Sequence, residues 1–117
     1  MANPSTISRG NIIAQWALAV TLSPTGCSAT TTTLQTFTVT GLQLGDLVEV
    51  TSNSPIVTSG GLGIINSRVS AANTLQIEFL NPSNGVLTPT ASTVYFLEVT
   101  RPENLTQTNI SVQTFIT

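Results

Sequence analysis

The stretch GDLVEVTSNSPIVTSGGLGIINSRVSAANTLQIEFLNPSNG, residues 45–85, carries the clearest structural pattern in the chain. In its segment TLQIEFL, Leu75, Ile77 and Phe79 alternate with Gln76 and Glu78, which is the period of two of a strand with one buried face. LVEVTS alternates in the same way, and paired glycines and NPSNG interrupt the apolar pattern. The segment IINSRVS between them fits either a strand or a short irregular edge.

The same alternation occurs on both sides of this stretch. It places Trp16, Leu18, Val20 and Leu22 on one face of a first strand, and SPTGCSATTTT then predicts a turn and a Thr-rich run before Phe37 and Val39. TVYFLEV and NISVQTFI complete the set. No stretch has helical periodicity, so we predict an all-β fold, an antiparallel β-sandwich of about seven to eight strands, jelly-roll or immunoglobulin-like.

A chain of 117 residues has the size of one domain. We expect residues 1–11, MANPSTISRGN, to form an extended N-terminal arm and residues 12–117 to form a single β-sandwich domain. The arm is polar and has no periodic pattern, and such an arm becomes ordered only when something holds it. We therefore expect the arm to contact another chain.

The surface of the protein must be poor in charge. Charged residues make up 7% of the chain, the formal net charge is -2, and there is no His and no Lys. Little electrostatic repulsion keeps copies of such a surface apart, which favours association. The three basic residues are too few and too scattered to neutralise a run of phosphates, so we expect no nucleic-acid partner.

Cys27 is the only cysteine, which excludes an intrachain disulfide. Arg9 followed by IIAQWALAV and LSPTGC resembles a bacterial lipoprotein signal, in which the cysteine would be lipidated. Gln15 interrupts the apolar run, however, and Pro24 stands where such a signal usually carries Leu. No apolar run approaches the roughly 20 residues that span a bilayer. We expect no membrane partner and a free Cys27 thiol.

The residue types for catalysis are missing or scattered. Nucleophilic catalysis needs a base beside the nucleophile, and the chain has no His or Lys to supply it. A glycosidase needs two facing carboxylates. The alternation predicts solvent-facing positions for Glu49, Glu78 and Glu98, while Asp46 follows a turn glycine; Glu103 is the fifth acid. The sequence contains neither the nitrogen and sulfur ligand pattern of a zinc site nor the Asp-rich loop of a calcium site. GGLG lacks the Lys of a phosphate loop. We expect no enzyme activity, no cofactor and no metal.

Aromatic and arginine side chains are the remaining candidates for binding. Trp16 lies in phase with Leu18 and Val20, which predicts a core position and not an exposed sugar-stacking platform. Tyr95 is ambiguous, because Val94 and Phe96 could equally define the buried face. Arg68 and Arg101 each border a strand, where either a surface ion pair with one of the acids or a contact with another subunit is expected.

Three segments carry a resemblance to a known family. TFTVTGLQLGDLVEV, then GGLGIINSRVSAANTLQIEFLNPSNG, then a Thr-Pro-Thr spacer and TVYFLEVTRPE resemble, in this order, a group of small all-β proteins from tailed-phage genomes. The resemblance covers residues 35–102. In that group Gly45 and Asp46 would start a strand, and Ala71, Ala72 and Asn73 would form a tight turn. Such proteins are similar to capsid decoration or cement proteins, and related sandwiches occur as head-fibre and tail-fibre knobs.

The resemblance implies a structural virion protein on the outer capsid surface, made in the host bacterial cytoplasm. Its expected partners are the major capsid protein and copies of itself, with a trimer favoured over a dimer. The alternative is a receptor-binding or carbohydrate-binding knob of a phage fibre. The candidate inter-subunit or capsid contacts are Asn3, Ser5, Thr6, Ile7, Arg9, Arg68 and Arg101.

Overall fold

The protein is described by a computed structural model that covers residues 12–57 and 61–103. These residues form six strands and no helix. The strands are β1 (Ile12–Leu22), β2 (Thr31–Thr38), β3 (Leu47–Ser52), β4 (Gly63–Ala71), β5 (Thr74–Asn81) and β6 (Thr93–Pro102). No helix that could cross a membrane is found in this part of the chain.

The strands form two antiparallel three-stranded sheets. One sheet has the order β1-β6-β3 and the other has the order β2-β5-β4, so β6 and β5 are the central strands. The apolar residues of the alternating segments lie on the inward face of each sheet, and the inward faces of the two sheets form one hydrophobic core. This arrangement is consistent with a β-sandwich and confirms the all-β prediction.

The core is densest along the two central strands. Leu75, Ile77 and Phe79 of β5 and Tyr95 of β6 are fully buried. Burial of each such side chain stabilises the fold by about 1.5–3 kcal/mol relative to exposure. Val94 and Phe96 point outward instead, which resolves the ambiguity about which face of TVYFLEV is buried.

The two sheets approach each other along the β3 and β4 edges, where the Ser67 Oγ donates a hydrogen bond to the Val48 carbonyl oxygen at 3.1 Å. The segment IINSRVS belongs to the regular strand β4, yet it keeps edge character. Its pairing with β5 shifts between Ile64 and Asn66 and again between Val69 and Ala71. Such bulges bend an edge strand and weaken it as a template for pairing with another chain.

A tight turn at Ala72 and Asn73 joins β4 to β5. The resemblance also placed Ala71 in this turn, but Ala71 is the last residue of β4. Asn73 has a positive φ of 58°, a conformation that Asn tolerates better than most residues. Its Oδ1 accepts a hydrogen bond from the Gly41 N–H at 2.8 Å, and its own N–H donates to the Leu42 carbonyl at 2.8 Å. The turn therefore holds the loop between β2 and β3.

At the opposite end, Asn81 is fully buried and fully bonded. Its Nδ2 donates to the carbonyl oxygens of Cys27 and Gly85 at 2.9 and 2.8 Å, and its Oδ1 accepts from the Ser83 N–H and Oγ–H at 3.0 and 2.7 Å. Cys27 also pairs with Leu87 through backbone hydrogen bonds at 2.8 and 3.1 Å. These contacts join the loops that follow β1 and β5.

Two predictions need correction. The Thr-rich run does not precede the second strand but forms part of it, because β2 begins at Thr31 and threonine suits the solvent side of a pleated strand. The resemblance has Gly45 and Asp46 start a strand, whereas the observed strand β3 begins after them, at Leu47. The described residues contain six strands, fewer than predicted, and the seventh predicted strand, NISVQTFI, lies outside them, as does the predicted arm of residues 1–11.

Candidate interaction surface

The outward surface of the β1-β6-β3 sheet is the strongest candidate for binding, and we name it the β6 face. The register places Ala17, Glu98 and Glu49 in one row across the three strands. The next row contains Ala19, Phe96 and Thr51. Because β6 is central and its neighbour β1 offers only alanine here, the Phe96 ring stands 41% exposed above small side chains.

Two carboxylates face each other at the centre of this surface. Glu49 of β3 and Glu98 of β6 are direct register partners, and both are exposed. Cross-strand side chains at such positions lie about 4.5–5.5 Å apart at Cβ, and like charges there are destabilising. Among the outward residues that the structure describes on this sheet, none is basic. The β6 face is therefore apolar with a concentrated negative charge.

A groove continues from the β6 face toward the second sheet. It has a volume of about 400 Å³ and is lined by Glu49, Glu98 and Phe96 on one side and by Ile64, Ile65 and Asn66 of β4 on the other. Ile65 occupies the position of the first β4 bulge, and it is 51% exposed. The bulge thus turns an apolar side chain toward the two carboxylates.

Arg101 and Asp46 form an ion pair at the end of the β1-β6-β3 sheet. Arg101 Nε and Nη2 donate to Asp46 Oδ1 and Oδ2, each at 2.8 Å. Nη2 also donates to the Gly41 carbonyl at 2.8 Å, and the guanidinium lies 4.9 Å from the centre of the Trp16 ring. The Asp46 carboxylate is almost fully buried. The hydrogen bond from Arg101 lowers the pKa of Asp46.

These contacts assign a structural role to Arg101 and Trp16. The guanidinium covers the indole ring, so Trp16 does not offer an open stacking platform. Tyr95 is fully buried, and Phe96 is the one large aromatic side chain exposed among the described residues. A sugar-stacking site built on Trp16 or Tyr95 is incompatible with this arrangement.

The other predicted contact residues fall in two places. Arg68 is exposed on the outer face of the second sheet, where its Nε donates to Gln76 Oε1. It lies in the sheet opposite the β6 face. Asn3, Ser5, Thr6, Ile7 and Arg9 lie outside the described residues.

The remaining reactive groups are buried and separate. Cys27 is a free, fully buried thiol, and burial raises its pKa. Burial also raises the pKa of Tyr95, whose hydroxyl is the one buried side-chain polar atom without a hydrogen-bond partner in the described part of the chain. No group of three or more His, Cys, Asp or Glu residues is placed to hold a metal ion in residues 12–57 and 61–103.

The sequence carried only an ambiguous signal for the β6 face. Phe96 alternates with Tyr95 and Leu97, and either set could have defined the buried face of the strand; the structure places Phe96 on the solvent side. The opposition of Glu49 and Glu98 could not be read from the sequence, because it depends on the register of strands that lie far apart in the chain. The exposure of Ile65 depends on the first β4 bulge, which the sequence did not reveal either.

Comparisons of the chain with known protein families, with curated proteins and with solved structures gave no match.

Proposed function

We propose that the protein is a structural virion protein, a phage capsid decoration or cement protein that binds the outer surface of the major capsid protein shell and stabilises it without chemistry. The observation that supports this most strongly is the β6 face. It offers an exposed Phe96, the groove with Ile65, and two carboxylates without a counter-charge among the described residues. An aromatic anchor with apolar neighbours is the composition of a protein-binding surface.

The partner that fits this surface is a protein with an apolar patch and a basic side chain. Glu49 and Glu98 would select an arginine or lysine through charge complementarity, while Phe96 and Ile65 contribute apolar area. The major capsid protein is the partner that the resemblance implies. On this proposal the protein is made in the host bacterial cytoplasm and resides on the outer capsid surface.

Self-association is the second part of the proposal, with a trimer favoured over a dimer. The chain has a net charge of -2 and few charged residues, so electrostatic repulsion between copies is weak. Copies joined into a small symmetric oligomer could each contact a different capsid subunit, and linked contacts gain avidity through effective concentration. Bridged subunits would then resist the outward pressure of packaged DNA.

We also propose the finer fold assignment. Six strands are described, and the alternating segment of residues 109–116 would add a seventh. Seven strands match the number in the constant-type immunoglobulin sandwich, whereas a jelly roll needs eight. In that immunoglobulin sandwich the first strand pairs with the second, however, and here β1 pairs with β6. The proposed fold is therefore a β-sandwich, jelly-roll or immunoglobulin-like.

A fibre knob that binds carbohydrate is the second candidate function. The groove favours it, because Phe96 and two carboxylates converge at an open depression of a size that ligands occupy. The two functions predict different copy numbers. A decoration protein is present in hundreds of copies per particle, whereas a fibre knob is present in a handful.

The test is to mix the purified protein with expanded shells that lack it and to measure occupancy and resistance to heat. Phe96→Asp should abolish binding to the shell. Leu80→Asp is the matched control, since Leu80 is also on the outward side of a central strand and is similarly exposed, at 37%. Equal loss of binding in both variants, or no binding by the wild type together with localisation to a fibre, would overturn the decoration assignment.

A further inference from the structure

The two carboxylates of the β6 face have no counter-charge among the described residues. Glu49 and Glu98 are direct register partners, and the third position in their row is Ala17, which cannot neutralise them. Like charges at opposed positions of a sheet are unfavourable. A cation delivered to this row from elsewhere would relieve the repulsion and gain two charge-assisted hydrogen bonds.

The chain itself contains a basic side chain that can supply this cation. Of its three basic residues, Arg101 is bonded to Asp46 and Arg68 lies on the opposite sheet beside Gln76. The third is Arg9, which precedes the start of β1 at Ile12 by three residues. Arg9 is therefore the basic residue that these described contacts leave over, and it is the candidate to complement the β6 face.

We propose that the N-terminal arm, residues 1–11, of one copy docks on the β6 face of a neighbouring copy and places Arg9 between Glu49 and Glu98. This inference rests on the self-association in the proposed function, and it identifies the surface that carries it. It gives Phe96, Glu49 and Glu98 to the neighbouring copy, so the capsid contact would use the Ile65 side of the groove, and the loss of shell binding expected for Phe96→Asp would follow from lost self-association. In an extended arm, residues two apart point to the same side. Ile7 and Arg9 have the same spacing as Phe96 and Glu98, so Ile7 would lie on Phe96 while Arg9 pairs with Glu98.

Within one copy, Arg9 is too close in sequence to the start of β1 to reach Glu98. Glu98 lies level with Ala17, five residues along β1 from Ile12, which is about 17 Å at the rise of about 3.4 Å per residue of a strand. The tightest reversal uses two residues, here Gly10 and Asn11, and leaves Arg9 level with Ile12. The remaining distance exceeds the length of an arginine side chain, so a second copy must supply Arg9.

A charge exchange tests the proposal. Arg9→Glu should weaken self-association by at least about tenfold, measured by sedimentation over a range of concentrations, and Glu49→Arg combined with Glu98→Arg should weaken it similarly. All three substitutions together should restore most of the loss, because the complementary charges are then reversed. Arg9→Glu with Glu78→Arg is the matched control and should restore nothing, since Glu78 faces away on the second sheet. Deletion of residues 2–10 should match Arg9→Glu.

A cross-link identifies the copy that supplies the arm. Arg9→Cys with Glu98→Cys should give a disulfide between chains on a non-reducing gel, while the buried Cys27 stays unreacted. A disulfide within one chain, or a charge exchange without restoration in correctly folded variants, would overturn the proposal. Restoration by the charge exchange in a protein that fails to bind shells would retain this inference and overturn the decoration function alone.

Discussion

Arg101 and Asp46 are 55 residues apart in the chain, yet they form an ion pair with two parallel hydrogen bonds of 2.8 Å. Asp46 immediately precedes β3 and Arg101 lies near the end of β6, so the pair fixes the end of the β1-β6-β3 sheet. The third hydrogen bond of Arg101, to the Gly41 carbonyl, connects this sheet to the loop that follows β2. The pair thus joins three segments at one end of the domain.

The first prediction concerns this pair. Asp46→Asn keeps the size of the side chain but removes the charge, and it leaves the carboxamide nitrogen facing the guanidinium. We expect the melting temperature to fall by roughly 5–10 °C. Glu103→Gln is the control, because Glu103 is exposed and forms no ion pair among the described residues. Equal melting temperatures for Asp46→Asn and the wild type at pH 7 would show that the pair contributes no net stability.

The same pair gives a dependence on pH. The pKa of Asp46 in the folded protein lies below its ordinary value of 3.8. The unfolded chain therefore binds the proton more readily, and acid favours unfolding. The stabilisation should be complete above the unfolded pKa and should disappear as the pH falls through the lowered pKa of the folded state. Denaturant unfolding from pH 6 to pH 2 should show the wild type losing its advantage over Asp46→Asn only below about pH 4.

The second prediction separates two roles of Asn73. Asn73→Gly keeps the positive φ but loses the hydrogen bond from the Gly41 N–H, which should lower the free energy of unfolding by about 1 kcal/mol. Asn73→Ala loses the same bond and also strains the backbone, so the loss should reach about 2–3 kcal/mol. Equal losses in urea unfolding would mean that the conformation of the turn does not matter.

The strands were predictable from the sequence where one face is apolar and the other polar. Three predicted strands are present in the structure, namely those of TLQIEFL, LVEVTS and TVYFLEV. Burial of one face of each strand enforces the alternation of apolar and polar residues from which they were predicted. Thr31–Thr33 were misassigned to the region before the strand, since threonine carries no apolar alternation although it suits an edge strand. The pairing of Asp46 with Arg101 and the opposition of Glu49 and Glu98 both follow from the register between distant strands, which local patterns do not contain.

The third prediction concerns Tyr95. Its hydroxyl is buried without a partner among the described residues, and burial, followed by the neighbouring Cys27, raises its pKa above the ordinary 10.0. Tyr95→Phe removes the unpaired polar atom and keeps the ring, so we expect stabilisation by about 1 kcal/mol. Because the folded pKa is raised, the wild type should lose further stability above pH 10 and the variant should not. Destabilisation by Tyr95→Phe at pH 7 would indicate that the hydroxyl has a partner.

The fourth prediction is that Cys27 is an inert thiol. It is fully buried, its pKa is raised by burial, and its contacts are weak: Gln35 Nε2 lies 3.7 Å from the sulfur, and the Thr25 carbonyl oxygen lies 3.8 Å from it. A thiol-specific reagent at pH 7.5 should therefore label the protein in denaturant and leave the native protein unlabelled.

Replacement of Cys27 tests the same point through stability and assembly. Gln35 Nε2 keeps its 3.0 Å hydrogen bond to the Thr25 carbonyl when the sulfur is removed, and the backbone pairing of residue 27 with Leu87 does not depend on the side chain. Cys27→Ala and Cys27→Ser should each lower the free energy of unfolding by no more than about 2 kcal/mol. Both variants should self-associate like the wild type. A variant that keeps its melting temperature but no longer self-associates would assign the thiol a role in assembly.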